Sequence, residues 1–215
     1  MNFSVIVCAR KEGDSAKLRD SFPPPEHGCI DLVEVVGAPG MSVGFNKGVK
    51  KAKHDILLFT HTDVHVWAGV QLLEEMLDVV AQPSVGFVGV AGSDSLRASC
   101  RWWESERKHG CVAHRHNDQT HFSSFGPLGR ALVMDGVFLA CERKKLERIG
   151  GFDERFKWHF YDIDATLRTA RAGYRNEVVA FPILHESIGP TQADWMLSAQ
   201  MFRTKYNMTN EGISS

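Results

Sequence analysis

Apolar runs rich in β-branched residues recur at 3–8, 31–36, 55–60 and 85–91, and again at 132–139 and 178–183. Between several of them the apolar spacing becomes that of a helix. Phe45, Val49 and Ala52 recur at i, i+4, i+7, and Val70, Leu73, Leu77 and Val80 make a second stripe. Strand alternating with helix restricts the chain to an α/β layer architecture, a mostly parallel central sheet flanked by helices, because parallel neighbours need covering crossovers. At 215 residues, one domain spanning 1–215 is expected. Pro23-Pro24-Pro25 predicts a loop within it rather than a boundary.

Charge and cysteine usage exclude several classes. Lysine plus arginine (25) nearly balances aspartate plus glutamate (26), so nucleic acid is not expected as the main partner, although a local basic pocket for a diphosphate is compatible. No apolar run approaches the ~20 residues that span a bilayer. The start, Met1 to Val7, reads as a first strand rather than a secretory leader. Cysteines 8, 29, 100, 111 and 141 are scattered and include no CxxC pair, which speaks against a zinc ribbon or a disulfide framework and for a cytoplasmic setting. Cys8 lies in an apolar run and is expected in the core.

The run Asp55 to Thr60 ends in His61-Thr62-Asp63. In open parallel sheets ligands bind at the carboxyl edge of the strands. A period of two would put His61 and Asp63 on one face, where imidazole and carboxylate can hold a divalent cation against a diphosphate. His185, after the apolar run 180–184, is a third candidate ligand, and His65 is read as rim. The competing reading has His61 cap a strand and Asp63 bond a turn. The histidines between 109 and 121 match no zinc spacing and predict an exposed, His-rich stretch within a long excursion, 96–130, over one sheet face.

From Asp162 the pattern is helical, with Ile163 and Leu167 paired and Gly173 at the stop. Asp162 then falls at or near the N-cap, where backbone N–H groups favour its ionised form. Such a carboxylate at a cleft can accept a proton from an attacking hydroxyl, and it can equally be a simple cap. Asp164 stands four before Arg168, the spacing of an intrahelical ion pair. Asp135-Gly136 interrupts the apolar run 131–140. Either the pair walls a sugar pocket, or Asp135 is a buried carboxylate satisfied by arginine or backbone. Trp102, Trp103, Trp158 and Trp195 suit sugar stacking, with ordinary packing expected for at least two of them. Residues 191–206 predict a last helix.

Taken in order, Val5 to Arg10, Asn46-Lys47-Gly48, the 55–63 strand, Gly150-Gly151-Phe152-Asp153-Glu154, and Tyr161-Asp162-Ile163-Asp164 with Arg168 and Gly173-Tyr174 resemble the family-2 glycosyltransferases of GT-A fold. The likeness is to the short glycosyltransferase-like branch with His-x-Asp and Tyr-Asp-x-Asp signatures. It runs over roughly residues 3 to 206 and is weakest at 96–130. The resemblance implies a GT-A nucleotide-diphospho-sugar transferase fold, with a nucleotide-sugar half at about 1–95 and an acceptor half at about 96–215. It implies Asp63, His61 and His185 as ligands of Mn²⁺ or Mg²⁺, and Asp162 as the base of an inverting single displacement. Ala9, Arg10, Glu12, Asn46 and Asp63 would line the donor, and Asp135, Gly136, Tyr161 and Asp164 the acceptor or sugar pocket. The implied partners are a nucleoside-diphosphate sugar and a glycan or lipid-linked acceptor, the latter allowing peripheral membrane association.

The chain departs from that pattern at three places. His61 stands for the first aspartate of Asp-x-Asp, Tyr161 for the glutamate before the base, and Gly37-Ala38-Pro39 where an aspartate reads uracil. These motivate a second reading, a catalytically silent module that binds nucleotide or glycan. A third, a sugar nucleotidyltransferase, needs a glycine-rich basic loop for triphosphate, and Ala9-Arg10-Lys11-Glu12-Gly13 is thin for it.

Overall fold

The computed structural model describes residues 2–24, 28–187 and 193–214. In chain order the elements are β1 (Phe3–Ala9), α1 (Ala16–Ser21), β2 (Ile30–Val36), α2 (Met41–Lys51), β3 (Ile56–Thr60), β4 (Val64–Val66), α3 (Val70–Val80), β5 (Val85–Gly89), β6 (Ala91–Ser93) and β7 (Ser95–Leu96). There follow β8 (Lys108–His116), β9 (Gln119–Gly126), β10 (Gly129–Ala131), β11 (Val133–Met134), β12 (Phe138–Glu142), α4 (Arg143–Arg148), α5 (Tyr161–Arg171), β13 (Arg175–Val178), β14 (Ile183–His185), α6 (Ala193–Tyr206) and β15 (Ile213–Ser214).

The main sheet has the order β10-β13-β5-β12-β3-β1-β2. Strands β1, β2, β3, β5 and β13 run one way, while β12 and β10 oppose them. The sheet is therefore mostly parallel. Strands β1, β3, β5 and β12 are buried along nearly their whole length, as continuous apolar runs covered on both faces should be. The two sequence stripes become α2 and α3, which turn Phe45 and Leu73, Leu77 and Val80 into the core.

A second sheet, β11-β6-β8-β14-β4 with β9 on β8, leans on the carboxyl edge of the first. Its existence corrects two sequence expectations. The run 132–139 is two strands: β11 pairs with β6 in the second sheet, and β12 joins the main one. The switch falls at Asp135-Gly136: the Asp135 N–H still donates to the Ala91 carbonyl of β6 at 3.0 Å, whereas the Gly136 N–H turns to the Asp162 side chain. The run 178–183 likewise splits between β13 and β14, with Pro182, which has no N–H to give a ladder, just before β14.

The excursion at 96–130 is also more ordered than its texture suggests. Residues 108–126 form an antiparallel hairpin, with Asn117 and Asp118 at φ 50° and 60° in its two-residue turn. The outer strand β9 is mostly exposed, so it carries no apolar alternation to announce it. The last helix is described from Ala193, residues 191 and 192 lying outside the described set, as does Pro25 of the proline run. None of the described helices is long and apolar enough to cross a membrane.

Candidate functional site

Where β3 ends, the chain leaves the main sheet and enters the second through His61-Thr62-Asp63, a tight turn in which the Val64 N–H faces the His61 carbonyl at 3.4 Å. His61 and Asp63 converge through this turn, not through strand periodicity. Sheet register supplies the third group. On β14, His185 lies opposite Val64 of β4 and beside His114 of β8, and the Glu186 N–H donates to the Asp63 carbonyl at 2.9 Å.

His61 Nδ1 and His185 Nε2 stand 3.3 Å apart, and His185 Nε2 is 3.4 Å from Asp63 Oδ1. One donor atom from each residue lies within 4.8 Å of the other two. A cation with bonds of about 2.1 Å separates neighbouring ligand atoms by roughly 3.0–3.4 Å, the spacing that His185 keeps from both His61 and Asp63. Electrostatics agree. Burial raises the Asp63 carboxyl, but the His185 hydrogen bond and charge, with His61 and Ser187, outweigh it and hold it well below the usual carboxylate range. Burial, then the neighbouring His185, lowers His61 to about 4, which leaves its imidazole neutral and able to ligate.

The helix carrying the candidate base begins one residue earlier than its sequence signals. Phe160, with φ 67° in the left-handed region, occupies the cap position, and Asp162 sits within the first turn. Its Oδ2 accepts from the Gly136 N–H at 2.7 Å. Burial, then the charge of Asp135, raises its pKa to about 7 against the pull of backbone N–H groups at 162, 163 and 136. The expectation that a helix terminus keeps this carboxyl firmly ionised is thus corrected: desolvation and a like charge win. A carboxyl that titrates near neutrality is suited to moving a proton.

Gly136 lets these groups meet. A Cβ there would stand 2.8 Å from Tyr161 Cζ and 2.9 Å from Asp162 Cβ, closer than atoms pack. Tyr161 Oη reaches His61 Nε2 at 3.1 Å and the Gly136 carbonyl at 3.4 Å. Asp135 accepts from Trp102 Nε1 at 3.1 Å and from the Val137 N–H at 2.9 Å, so an indole and the backbone satisfy it.

His61, His185, Asp135, Gly136, Tyr161 and Asp162 all border one cavity of about 510 Å³. Its other walls are aromatic: Trp102, Trp103, Phe125, Trp158 and Trp195. Trp102 and Trp195 are buried, as packing predicted, and Trp103 and Trp158 are exposed. The hairpin contributes His114, whose ring centroid lies 5.7 Å from that of His185 and whose Nδ1 is 3.1 Å from the Ser187 carbonyl. Sequence reading assigned His114 to an exposed stretch and passed over His159, also at the cavity. Only the β8–β14 register brings His114 in.

Other candidates lie outside this cavity. Arg10 and Glu12 are exposed just beyond Ala9 at the carboxyl end of β1, with Arg10 facing Asp14 at 3.8 Å. Asn46 commits its amide to the 150–154 loop, donating to the Phe152 carbonyl and Glu154 and accepting from the Phe152 N–H at 2.9 Å. Asp164 is fully buried beneath α6, bonded to Arg168 Nε at 2.7 Å, Tyr206 Oη at 2.7 Å and Lys205.

The sequence matches the profile of a Glycosyltransferase like family over residues 4–211. No curated protein matches it. Among solved structures it is similar to the mannosyltransferase PcManGT from Pyrobaculum calidifontis in complex with GDP-Man and Mn²⁺, with TM-score 0.61 and 17% identity over 96% of this chain and 64% of that one. It is similar also to GalNAc-T7 with UDP, GalNAc and Mn²⁺ (TM-score 0.65, 12% identity, 95% and 48% covered). A third is S. aureus TarS 1–349 (TM-score 0.56, 13% identity, 86% and 60% covered). The chain thus spans about half to two thirds of their lengths, and at these identities the likeness is one of fold, the GT-A fold.

Proposed function

This chain belongs to the Glycosyltransferase like family, and on that premise we propose that it moves a sugar from a nucleoside-diphosphate sugar to an acceptor hydroxyl with inversion. One observation carries the reading: His61, Asp63 and His185 converge as metal-ligating side chains, and two of them, His61 and His185, line the same cavity as Asp162, a carboxyl poised near neutrality. His61, Asp63 and His185 would hold Mn²⁺ or Mg²⁺, which when bound offsets the charge of the departing diphosphate. Asp162 takes the proton of the acceptor hydroxyl, oriented by the Gly136 N–H. The hydroxyl then attacks the anomeric carbon from the face opposite the leaving group.

The donor nucleotide lies over the carboxyl end of β1, flanked by Ala9, Arg10 and Glu12, with Asn46 shaping the neighbouring loop. GDP-Man, and UDP with GalNAc, are held with Mn²⁺ in similar folds, which supports a metal-assisted nucleotide sugar here. The scattered thiols, unpaired among the described residues, support a cytoplasmic setting.

The test is transfer from a panel of nucleotide sugars with Mn²⁺, alongside melting curves with nucleoside diphosphates. A metal-dependent rise in melting temperature for one nucleotide, with transfer lost in Asp162→Asn, is expected. Undiminished transfer by Asp162→Asn removes Asp162 as the base, and no nucleotide response in any metal removes the reading altogether.

A further inference from the structure

The acceptor end of the cavity has an unusual balance of groups. Among its described lining residues there is no lysine and no arginine, while Asp135 and Asp162 both face it. Burial disfavours a positive charge on the His159 ring, lowering its pKa against the opposing pull of Asp194. An anionic acceptor would meet two carboxyl groups with no lysine or arginine in the lining itself, and like-charge contact disfavours such a partner. Of the cations nearby, Arg101 is stacked on the Trp195 ring at 5.5 Å and Lys108 is bonded to the Trp103 carbonyl at 3.2 Å. A long hydrocarbon is equally ill served, because it would bury polar groups of Asp162, His114 and His159 against chain methylenes.

The aromatic groups are arranged for something flat and polyhydroxylated. Trp102 spends its N–H on Asp135 and meets Trp103 edge to face, with ring centroids 6.1 Å apart at 88°. Trp195 braces Trp103 from another side at 6.2 Å. The Trp103 ring is thereby held in place while 38% of the residue stays exposed. Trp158 is 50% exposed, with no aromatic partner among the described residues. Two indoles left open beside a proton-accepting carboxyl suit the apolar C–H face of a sugar ring, with its hydroxyls turned toward Asp162.

We infer that the acceptor is an uncharged glycan, its terminal ring docked on Trp103 and Trp158, and not a phosphate-bearing lipid or an acidic sugar. This rests on the transferase reading above and narrows its substrate class.

The experiment uses the chain saturated with Mn²⁺ and a panel of nucleoside diphosphates. It is titrated with methyl glucoside, methyl galactoside, maltose and cellobiose, and with glucose 6-phosphate, methyl glucuronide and farnesyl phosphate. Binding is followed by tryptophan fluorescence and saturation-transfer NMR. At least one neutral saccharide is expected to bind, with its charged counterpart about tenfold weaker or undetected. Trp103→Ala and Trp158→Ala should each weaken it by about fivefold or more, and Trp158→Phe should keep most of it. Equal or tighter binding of an anionic probe, unchanged affinity in both alanine variants, or no neutral saccharide bound would each overturn the inference. The unliganded chain's melting response to nucleoside diphosphates with Mn²⁺ separates the two levels. A nucleotide response without saccharide binding overturns only the acceptor class. Saccharide binding without any nucleotide response overturns the transferase reading, and with it the saccharide's role as acceptor.

Discussion

Tyr161 Oη lies 3.1 Å from His61 Nε2 and 3.4 Å from the Gly136 carbonyl oxygen. A carbonyl can only accept, so the hydroxyl donates to Gly136 and accepts from the His61 Nε2–H. That leaves the lone pair of His61 on Nδ1, the atom facing His185. Tyr161 therefore sets the tautomer of His61. Tyr161→Phe should lower Mn²⁺ affinity roughly tenfold, measured by calorimetry. Unchanged affinity would mean that packing alone orients His61.

Asp63 and His185 should be harder to lose. Each supplies one of three converging ligand atoms, so Asp63→Ala or His185→Ala should abolish the rise in melting temperature that Mn²⁺ gives the parent chain. A Mn²⁺-induced rise that survives in both variants would place the metal elsewhere.

Asp162 carries a pH signature. Its folded-state pKa is raised from 3.8 to about 7, so the folded chain favours the protonated form. Its contribution to stability is therefore fully present below about pH 4 and is lost as pH rises through 7. In metal-free protein, Asp162→Asn should match the parent at pH 4 and melt a few degrees higher at pH 8, even as it loses transfer. A variant that melts lower than its parent at pH 8 contradicts this.

Gly136→Ala should be damaging beyond its size. The added methyl would collide with Tyr161 and Asp162, which must shift or be strained. A loss of about 1–3 kcal/mol by urea unfolding is expected, together with weaker Mn²⁺ binding through the displaced Tyr161. Normal stability and normal metal affinity together would show that the first turn of α5 can move freely.

Asp164 tests a structural claim. It holds Arg168, Lys205 and Tyr206 in a buried network that ties α5 to α6. Asp164→Ala leaves Lys205 with Asp153, Arg168 with the Ile149 and Gly151 carbonyls, and the Tyr206 hydroxyl without its acceptor, and should cost roughly 1–3 kcal/mol of stability. A cost below 1 kcal/mol would mean that the two cations simply swing out to water.

Much of the architecture was legible because buried parallel strands and amphipathic helices write periodic patterns. The runs that became β1, β2, β3 and β5 and the stripes that became α2 and α3 are of that kind. The hairpin of β8 and β9 was not legible, since a strand open to solvent has no apolar alternation to read. The split of 132–139 escaped for a related reason: apolar composition is the same whichever sheet a strand joins, and only long-range pairing decides.

The candidate site divides in the same way. His61, Asp63 and His185 were visible as chemistry-bearing residues at the ends of apolar runs, and Asp162 as one at the start of a helical pattern. Their protonation was not, because the neutral-range pKa of Asp162 comes from burial and from Asp135, approaching across a glycine gap. His114 and His159 were invisible as cavity residues, for nothing local marks them. Side-chain type and local periodicity are properties of the sequence, so the sequence by itself determined the layered fold and its reactive residues. Distance, desolvation and the company each residue keeps depend on contacts between remote segments, and these the tertiary structure alone decided.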